Sequence, residues 1–197
     1  PIIMIVSAFA SLIAMGGAPR AGIFMGKGDN VTAEKILGNC FSALIAVAVV
    51  LTAVVLIFKE PLLYIFGASE NTIGYAKSYI TIYAFGTLGL NAFISTQGFS
   101  KISMITVIIG AVTNIILDPV FIFLFDMGVR GAALATVISQ AVSGVWAYRF
   151  LRGEDTNLKL KRKNMKIEKN ILLPCVALGT APFVMTSTES ILILCFN

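Results

Sequence analysis

The chain has 197 residues, of which 57% are hydrophobic and only 13% charged, and its mean hydropathy is +0.90. An ordinary globular domain carries about 25% charged residues. A soluble core of this size cannot bury so much apolar surface, so the composition excludes both a soluble domain and a disordered chain. The chain contains no histidine, which excludes HExxH zinc sites and Ser/His/Asp triads.

Six stretches are apolar and long enough to cross a bilayer as helices, a crossing that takes about 20 residues. Their hydrophobicity does not alternate as it would in barrel strands. In chain order they cover residues 1–19, 36–58, 77–101, 102–125, 131–148 and a last stretch from Ile171. The sequence therefore predicts an all-α, polytopic membrane helix bundle. The boundary between the third and fourth spans is the weakest, because only residues 98–101 separate them.

Basic residues are concentrated in alternate loops. Twelve follow the first, third and fifth spans, and three lie in the other loops. Because basic residues favour cytoplasmic loops, the richer set is predicted to be cytoplasmic and the protein to lie in the cell (inner) membrane. Residues 152–169 then form a basic cytoplasmic linker between residues 1–151 and 170–197. This linker is expected to be either solvated or in contact with anionic lipid.

Two carboxylates lie inside predicted spans, at Asp118 and Glu189. An ionised carboxylate near the bilayer centre costs about 2.5–3.5 kcal/mol, so such a group faces a cavity or a partner, or it remains protonated. Asn114 lies four residues before Asp118 and hence on the same helix face. The carboxylate and amide oxygens are hard ligands suited to Na⁺, and Glu189 is a second candidate acid. Pro119 cannot donate a hydrogen bond to the carbonyl of Ile115, which predicts a kink beside Asp118.

Two predicted spans carry polar stripes on otherwise apolar helices. The fifth has Thr136, Ser139 or Gln140, and Ser143, and the third has Thr87, Asn91 and Ser95. In lipid these side chains must face protein or water. They are expected either to form hydrogen bonds between helices or to line a cavity, and for the cavity we single out Asn91, Ser139 and Gln140.

Small residues suggest where helices approach closely. Gly22 and Gly26 form a GxxxG pair, and a second set of small residues runs from Gly128 to Ala135. Three cysteines, at positions 40, 175 and 195, are separated along the chain and are predicted to be small core residues rather than metal ligands or disulfides. Both ends of the chain are hydrophobic, and we expect a fragment of a longer protein.

Several short motifs follow one another along the chain. They are Gly26-Lys27-Gly28-Asp29, Ala33-Glu34, Leu37-Gly38-Asn39, Gln97-Gly98 with Lys101, Asn114-Ile115-Ile116-Leu117-Asp118-Pro119, and the run Gly128-Val129-Arg130-Gly131-Ala132-Ala133-Leu134-Ala135-Thr136. In this order they resemble the multidrug and toxic compound extrusion (MATE) family, and most nearly its bacterial branch named for DNA-damage-inducible protein F. Each motif is weak alone, but together they cover nearly the whole chain.

The resemblance implies a twelve-helix transporter made of two six-helix lobes. This chain would supply helices two to six of the first lobe, the linker, and helix seven. Members of the family export organic, often cationic, drugs in exchange for Na⁺ or H⁺, with no other cofactor. Their first-lobe cation site is similar to Asn114, Asp118 and Thr136, and Glu189 resembles the helix-seven acid of some members. The implied partners are the lipid bilayer, small organic substrates and the remainder of the transporter chain, and no nucleic acid.

Three other functions are weighed against drug antiport. A lipid-linked sugar flippase of the same superfamily would need a strongly basic central cavity, yet no predicted span interior contains Lys or Arg. An intramembrane enzyme would need a nucleophile–base pair or a metal cluster, which two acids on separate spans do not supply. A purely structural membrane subunit would not require the group formed by Asn114, Asp118 and Pro119.

Overall fold

The computed structural model describes residues 2–65 and 90–195, and within those ranges every regular element is helical. A π-helical turn, Val120–Leu124, extends one of the helices, and a 3₁₀ turn, Arg162–Asn164, lies between the last two. The all-α bundle predicted from the sequence is confirmed. The third predicted span lies mostly outside the described residues. The six α-helices are α1 (Ile2–Gly26), α2 (Asn30–Ile65), α3 (Asn91–Thr96), α4 (Ser100–Pro119), α5 (Gly128–Arg152) and α6 (Lys169–Cys195).

Four segments of the described helices are long and apolar enough to cross a membrane. They are Ser7–Gly26, Asn30–Val54, Ser100–Leu124 and Lys169–Leu192. The 25 residues of α5 would span about 37 Å, which is also sufficient, but α5 is the most polar of the long helices. The backbone of α2 leaves the helical conformation at Phe58, where the sequence predicted that the span ends.

The first two helices are longer than the apolar stretches that predicted them. α1 continues beyond Pro19 to Gly26. This last part is packed against the bundle, since Ala21 is fully buried and Gly22 lies against the methyl group of Thr96. α2 begins at Asn30 rather than at residue 36. Asp29 caps it, since its Oδ1 accepts a hydrogen bond of 3.0 Å from the backbone N–H of Thr32. Hydrogen bonds from the Thr32 side chain and backbone lower the pKa of Asp29.

Helix α1 is central to the bundle and contacts α2, α3 and, most extensively, α6. Two glycines bring the α1 and α6 backbones together: a Cβ on Gly16 would overlap the carbonyl oxygen of Cys175, and one on Gly179 would overlap that of Leu12. Within a bilayer, helices associate largely through such close packing, because there is no water to drive them together. This contact was not predicted from the sequence.

The predicted small-residue contacts are only partly present. Gly131 packs against the carbonyl of Phe121 and Gly22 against Thr96, as expected. Gly26 and Gly128, however, face open space, so the prediction that they form close-packing surfaces is wrong. Gly128 instead has a φ of +53°, which allows the turn that precedes α5.

Cys40 and Cys175 are small buried residues, as predicted. Both side chains are fully buried and belong to the main hydrophobic core, one on α2 and one on α6. Cys175 also donates a hydrogen bond of 3.2 Å to the carbonyl of Ile171. The side chain of Cys195 lies outside the described residues.

The segment between α5 and α6 is folded onto the ends of α2 and α3. Leu158 and Leu160 are 1% and 3% exposed and belong to the main hydrophobic core. The side-chain oxygen of Gln97 accepts hydrogen bonds of 2.7 Å from the hydroxyl of Thr156 and from the N–H of Leu158. The expectation of a solvated or lipid-bound linker is therefore wrong for this part of it.

Two residues of α2 hold the rest of the segment. Glu34 forms an ion pair with Lys161 at 2.6 Å, and only 12% of the Glu34 side chain is exposed. Asn39 accepts a hydrogen bond of 2.6 Å from the N–H of Glu168 and donates one of 3.3 Å to the carbonyl of Asn164. Together with Gln97 these contacts form what we call the clasp, defined by Glu34, Asn39 and Gln97.

We predict that Gly179→Ala destabilises the full-length protein by about 1–3 kcal/mol, because the added methyl group must push α1 and α6 apart. Gly26→Ala is the matched control, since a Cβ there meets nothing within 4 Å. Thermal unfolding in detergent measures both. Equal midpoints for the two variants would show that the α1–α6 contact is not tight.

We also predict that Gln97→Leu releases the segment that follows α5. The variant leaves the buried N–H of Leu158 without an acceptor, at a cost of about 1–3 kcal/mol. Tryptic cleavage after Lys159 and Arg162 should then accelerate on the order of tenfold. Ser95→Ala, on the same short helix but without a bond to the segment, is the control and should leave the rate unchanged. Unaltered cleavage of Gln97→Leu would contradict the clasp.

Candidate functional site

Helices α4 and α5 pack against each other and form one wall of the site. The hydroxyl of Ser143 on α5 donates a hydrogen bond of 2.7 Å to the carbonyl of Thr106 on α4. Gly110 of α4 faces Ser143 at this contact, and a Cβ there would lie 3.4 Å from the Ser143 side chain, an ordinary van der Waals distance. The interhelical hydrogen bond expected from the polar stripe is thus formed by Ser143.

A cavity of about 430 Å³ opens between these helices and the start of α1 and α3. Its volume is in the range of small-molecule sites. The lining residues that the structure describes include amides and hydroxyls from four helices and no charged side chain. The polar lining residues are Ser7, Asn91, Thr106, Asn114, Thr136, Ser139, Gln140 and Ser143.

The structure brings two of the three predicted cation-site residues into this cavity and places the third beside it. Asn114 and Thr136 both line the cavity. Asp118 does not, but it lies one helical turn from Asn114, whose Nδ2 donates to its Oδ1 at 3.4 Å. Both side chains are half-buried. Asn114 carries an amide oxygen, Thr136 a hydroxyl oxygen and Asp118 a carboxylate, and oxygen groups of these kinds are the ligands that hard cations prefer.

Pro119 ends α4 immediately after Asp118. The helix continues as the π-helical turn Val120–Leu124, in which the N–H of Phe125 reaches back five residues to the carbonyl of Val120 at 3.0 Å. This change of helix type begins directly after the proline, which cannot donate the N–H bond of the regular pattern, and the kink itself stays a prediction. Such turns are frequent at functional sites.

The three predicted lining residues, Asn91, Ser139 and Gln140, all contribute to the cavity wall. Ser139 donates a hydrogen bond of 2.8 Å to the carbonyl of Thr136. The side-chain oxygen of Asn91 is buried, and within residues 2–65 and 90–195 no donor reaches it. A buried acceptor at a cavity wall is suited to a donor group on a bound molecule. Thr87, from the same predicted stripe, lies outside the described residues.

Sequence reasoning missed two polar lining residues, Ser7 and Thr106. Each has a second hydroxyl at helical spacing, Ser11 after Ser7 and Ser103 before Thr106, in an otherwise apolar stretch. The Thr106 side chain also bonds to the carbonyl of Ile102 in its own helix at 2.9 Å. Only the packing of α1, α4 and α5 places both residues at the cavity.

Glu189, the second candidate acid, lies apart from the cavity. Its side chain is exposed on α6, while the neighbouring Ser190 is buried. The structure therefore does not join Glu189 to Asp118 in a single site.

Comparison with known proteins identifies the fold and the family. The MatE family model matches residues 1–120. The multidrug export protein MepA of Staphylococcus haemolyticus is 26% identical over 191 residues, covering 94% of this chain and 42% of its own length. MepA of Staphylococcus aureus is also 26% identical, over 196 residues, and the match covers 43% of its length. The chain spans less than half the length of these relatives.

Solved structures agree. An inward-facing multidrug resistance MATE transporter superposes with a TM-score of 0.89 at 23% identity, covering 97% of this chain and 45% of that one. An outward-facing structure of such a transporter gives 0.87 at 23% identity, covering 97% and 44%. The match of the family model over more than half of the residues, together with this fold, assigns the chain. It is a multi-pass membrane protein and belongs to the MatE family of multidrug efflux transporters, which are not enzymes.

Proposed function

We propose that this chain forms part of an antiporter that exports organic, often cationic, drugs in exchange for Na⁺ or H⁺. The observation that carries the proposal is the cavity of about 430 Å³, with Asn114 in its wall and Asp118 bonded to Asn114. The cavity is large enough for a small organic molecule, and the carboxylate beside it can be neutralised by a proton or by Na⁺.

The coupling follows from a difference in affinity between two conformations. A proton or Na⁺ at Asp118 removes a charge from the end of α4, where the π-helical turn gives the helix an alternative to regular geometry. The neutral form then favours one arrangement of α4, and the cationic drug favours the other. Because each ligand shifts the same equilibrium in opposite directions, entry of the ion drives release of the drug.

Among the alternatives, a lipid-linked sugar flippase is less well supported. Such a protein would bind a phosphate-linked substrate and would need basic side chains in its cavity, but the lining residues that the structure describes include no Lys or Arg. The lining amides and hydroxyls suit a neutral or cationic substrate instead.

We place the clasp and the basic segment on the cytoplasmic side. Lys27, Lys101 and the residues between α5 and α6 lie at one end of the bundle, because the clasp ties that segment to the start of α2 and the end of α3. The excess of basic residues at this end favours the cytoplasm. The intact transporter would then lie in the cell (inner) membrane, with the remainder of its chain completing the two lobes.

We predict that Asp118→Asn in the full-length transporter reduces ion-coupled drug efflux by at least about tenfold, because the amide cannot exchange a proton and lacks the negative charge that Na⁺ would neutralise. Asp126→Asn is the matched control. That residue is exposed, and its φ of +52° is one that Asn adopts readily. Ethidium efflux from proteoliposomes, under separately imposed proton and sodium gradients, measures the effect and identifies the ion. Coupled efflux that survives Asp118→Asn would overturn the mechanism.

A second prediction concerns the two candidate acids. Glu189→Gln should impair efflux less than Asp118→Asn, because Glu189 is exposed on α6 and does not line the cavity. The same proteoliposome assay compares the two variants at equal protein content. An equal or greater loss in Glu189→Gln would move the coupling site to α6.

A further inference from the structure

Helix α5 has a second stripe, which faces away from the cavity. Thr136, Ser139 and Ser143 follow one side of the helix toward the cavity. The other side carries Val142, Val145, Trp146 and Arg149, at steps of three and four, and therefore on one face. These four residues and Ile109 of α4 line a separate groove of about 260 Å³.

The groove is apolar along its length and basic at one end. Val145 and Trp146 are 56% and 43% exposed, and Val142 is 41% exposed. In a bilayer-spanning helix such surfaces face acyl chains. Arg149 stands at the end of the stripe that lies nearest the helix C-terminus and is exposed. Within the part of the chain that the structure describes, no carboxylate lies within ion-pair distance of it.

The neighbouring basic residue, Arg152, is held differently. Its guanidinium donates a hydrogen bond of 3.1 Å to the hydroxyl of Tyr148 and stacks over the same ring at 5.6 Å. Lys101, at the start of the antiparallel α4, is exposed at the same end of the helix pair. Two acids follow α5, Glu154 and Asp155, but they lie beyond Arg152 and do not line the groove. Arg149 is therefore the charge available to the groove.

We propose that this groove is a binding site for an anionic phospholipid of the surrounding bilayer. One acyl chain lies along Ile109, Val142 and Val145, and the phosphate of the head group pairs with Arg149. Trp146 lies between the two, at the depth where an indole ring contacts both hydrocarbon and head groups. A guanidinium can bind a phosphate with two parallel hydrogen bonds, which accounts for a preference for anionic over zwitterionic lipid.

This assignment moves the lipid contact away from the basic segment after α5. That segment was the sequence-based candidate, but Lys161 is paired with Glu34 and its neighbours Leu158 and Leu160 are buried. The lipid site does not depend on the proposed antiport, because it requires only that α4 and α5 cross the bilayer.

Trp146 is the only tryptophan in the chain and lies within the groove. Quenching of its fluorescence by bromine atoms on a lipid therefore measures whether that lipid occupies the groove. The full-length transporter, with any tryptophan in the remainder of its chain replaced by Phe, is reconstituted in phosphatidylcholine vesicles. These contain the same small fraction of either acyl-brominated phosphatidylglycerol or acyl-brominated phosphatidylcholine. We expect phosphatidylglycerol to be enriched about fivefold at Trp146 relative to phosphatidylcholine, the ratio that about 1 kcal/mol per basic residue gives.

The Arg149→Gln variant should lose this preference while its quenching by brominated phosphatidylcholine stays unchanged, because the apolar groove is intact. Lys166→Gln is the matched control. It removes the same charge from an exposed position in the segment after α5, and it should keep the preference. Equal quenching by the two lipids in the unaltered protein would overturn the site. A preference for phosphatidylglycerol that survives Arg149→Gln would also overturn it. So would a preference that falls equally in Arg149→Gln and Lys166→Gln, because that result would indicate a general attraction of anionic lipid to the basic surface.

Discussion

The structure depends on one constraint, that a polar group inside a bilayer needs a partner, and the hydrogen bond between Asn114 and Asp118 is the main example. A carboxylate inside a bilayer cannot rely on water, so it needs a partner on the protein or an ion to neutralise it. Asn114 provides one donor, one helical turn away. The carboxylate can accept further hydrogen bonds or bind an ion, and it lies beside a cavity through which, in the proposed mechanism, a proton or a cation reaches it. The bond from Asn114 therefore offsets only part of the free energy that the carboxylate costs in the bilayer.

The same constraint explains the two faces of α5. Its hydroxyls and amides face the cavity or bond to α4, and its valines and Trp146 face outward. Helices in lipid have no hydrophobic effect to hold them together, so interhelical hydrogen bonds and close packing take its place. Ser143 supplies the bond to α4, and Gly110 of α4 packs against it. α5 is therefore comparatively polar for a membrane-spanning helix because one of its faces lines the cavity.

Outside the apolar region, a different interaction fixes the end of the bundle. The clasp satisfies backbone N–H groups of the segment after α5 with side-chain oxygens of Gln97, Asn39 and Glu34. Buried polar groups of this kind stabilise a structure only when each has a partner. The clasp and the contact of Gly16 and Gly179 hold α6 against α1 and α2, so the segment is part of the fold. The buried side chains of Cys40 on α2 and Cys175 on α6 belong to the same core.

The sequence alone determined the class of protein, the helical architecture and the residues worth testing. Those follow from hydropathy, from the cost of a carboxylate in lipid and from the spacing of Asn114 and Asp118, all of which are local. The family motifs also contained Glu34, Asn39 and Gln97, but their spacing gave them no role.

Only the tertiary structure showed that Gly16 and Gly179, and not Gly26 or Gly128, are close contacts, and that part of the linker is buried. It also separated Glu189 from the cavity and added Ser7 and Thr106. These features depend on which helix lies opposite each residue, and that choice is made between segments far apart along the chain, where periodicity within one helix carries no information.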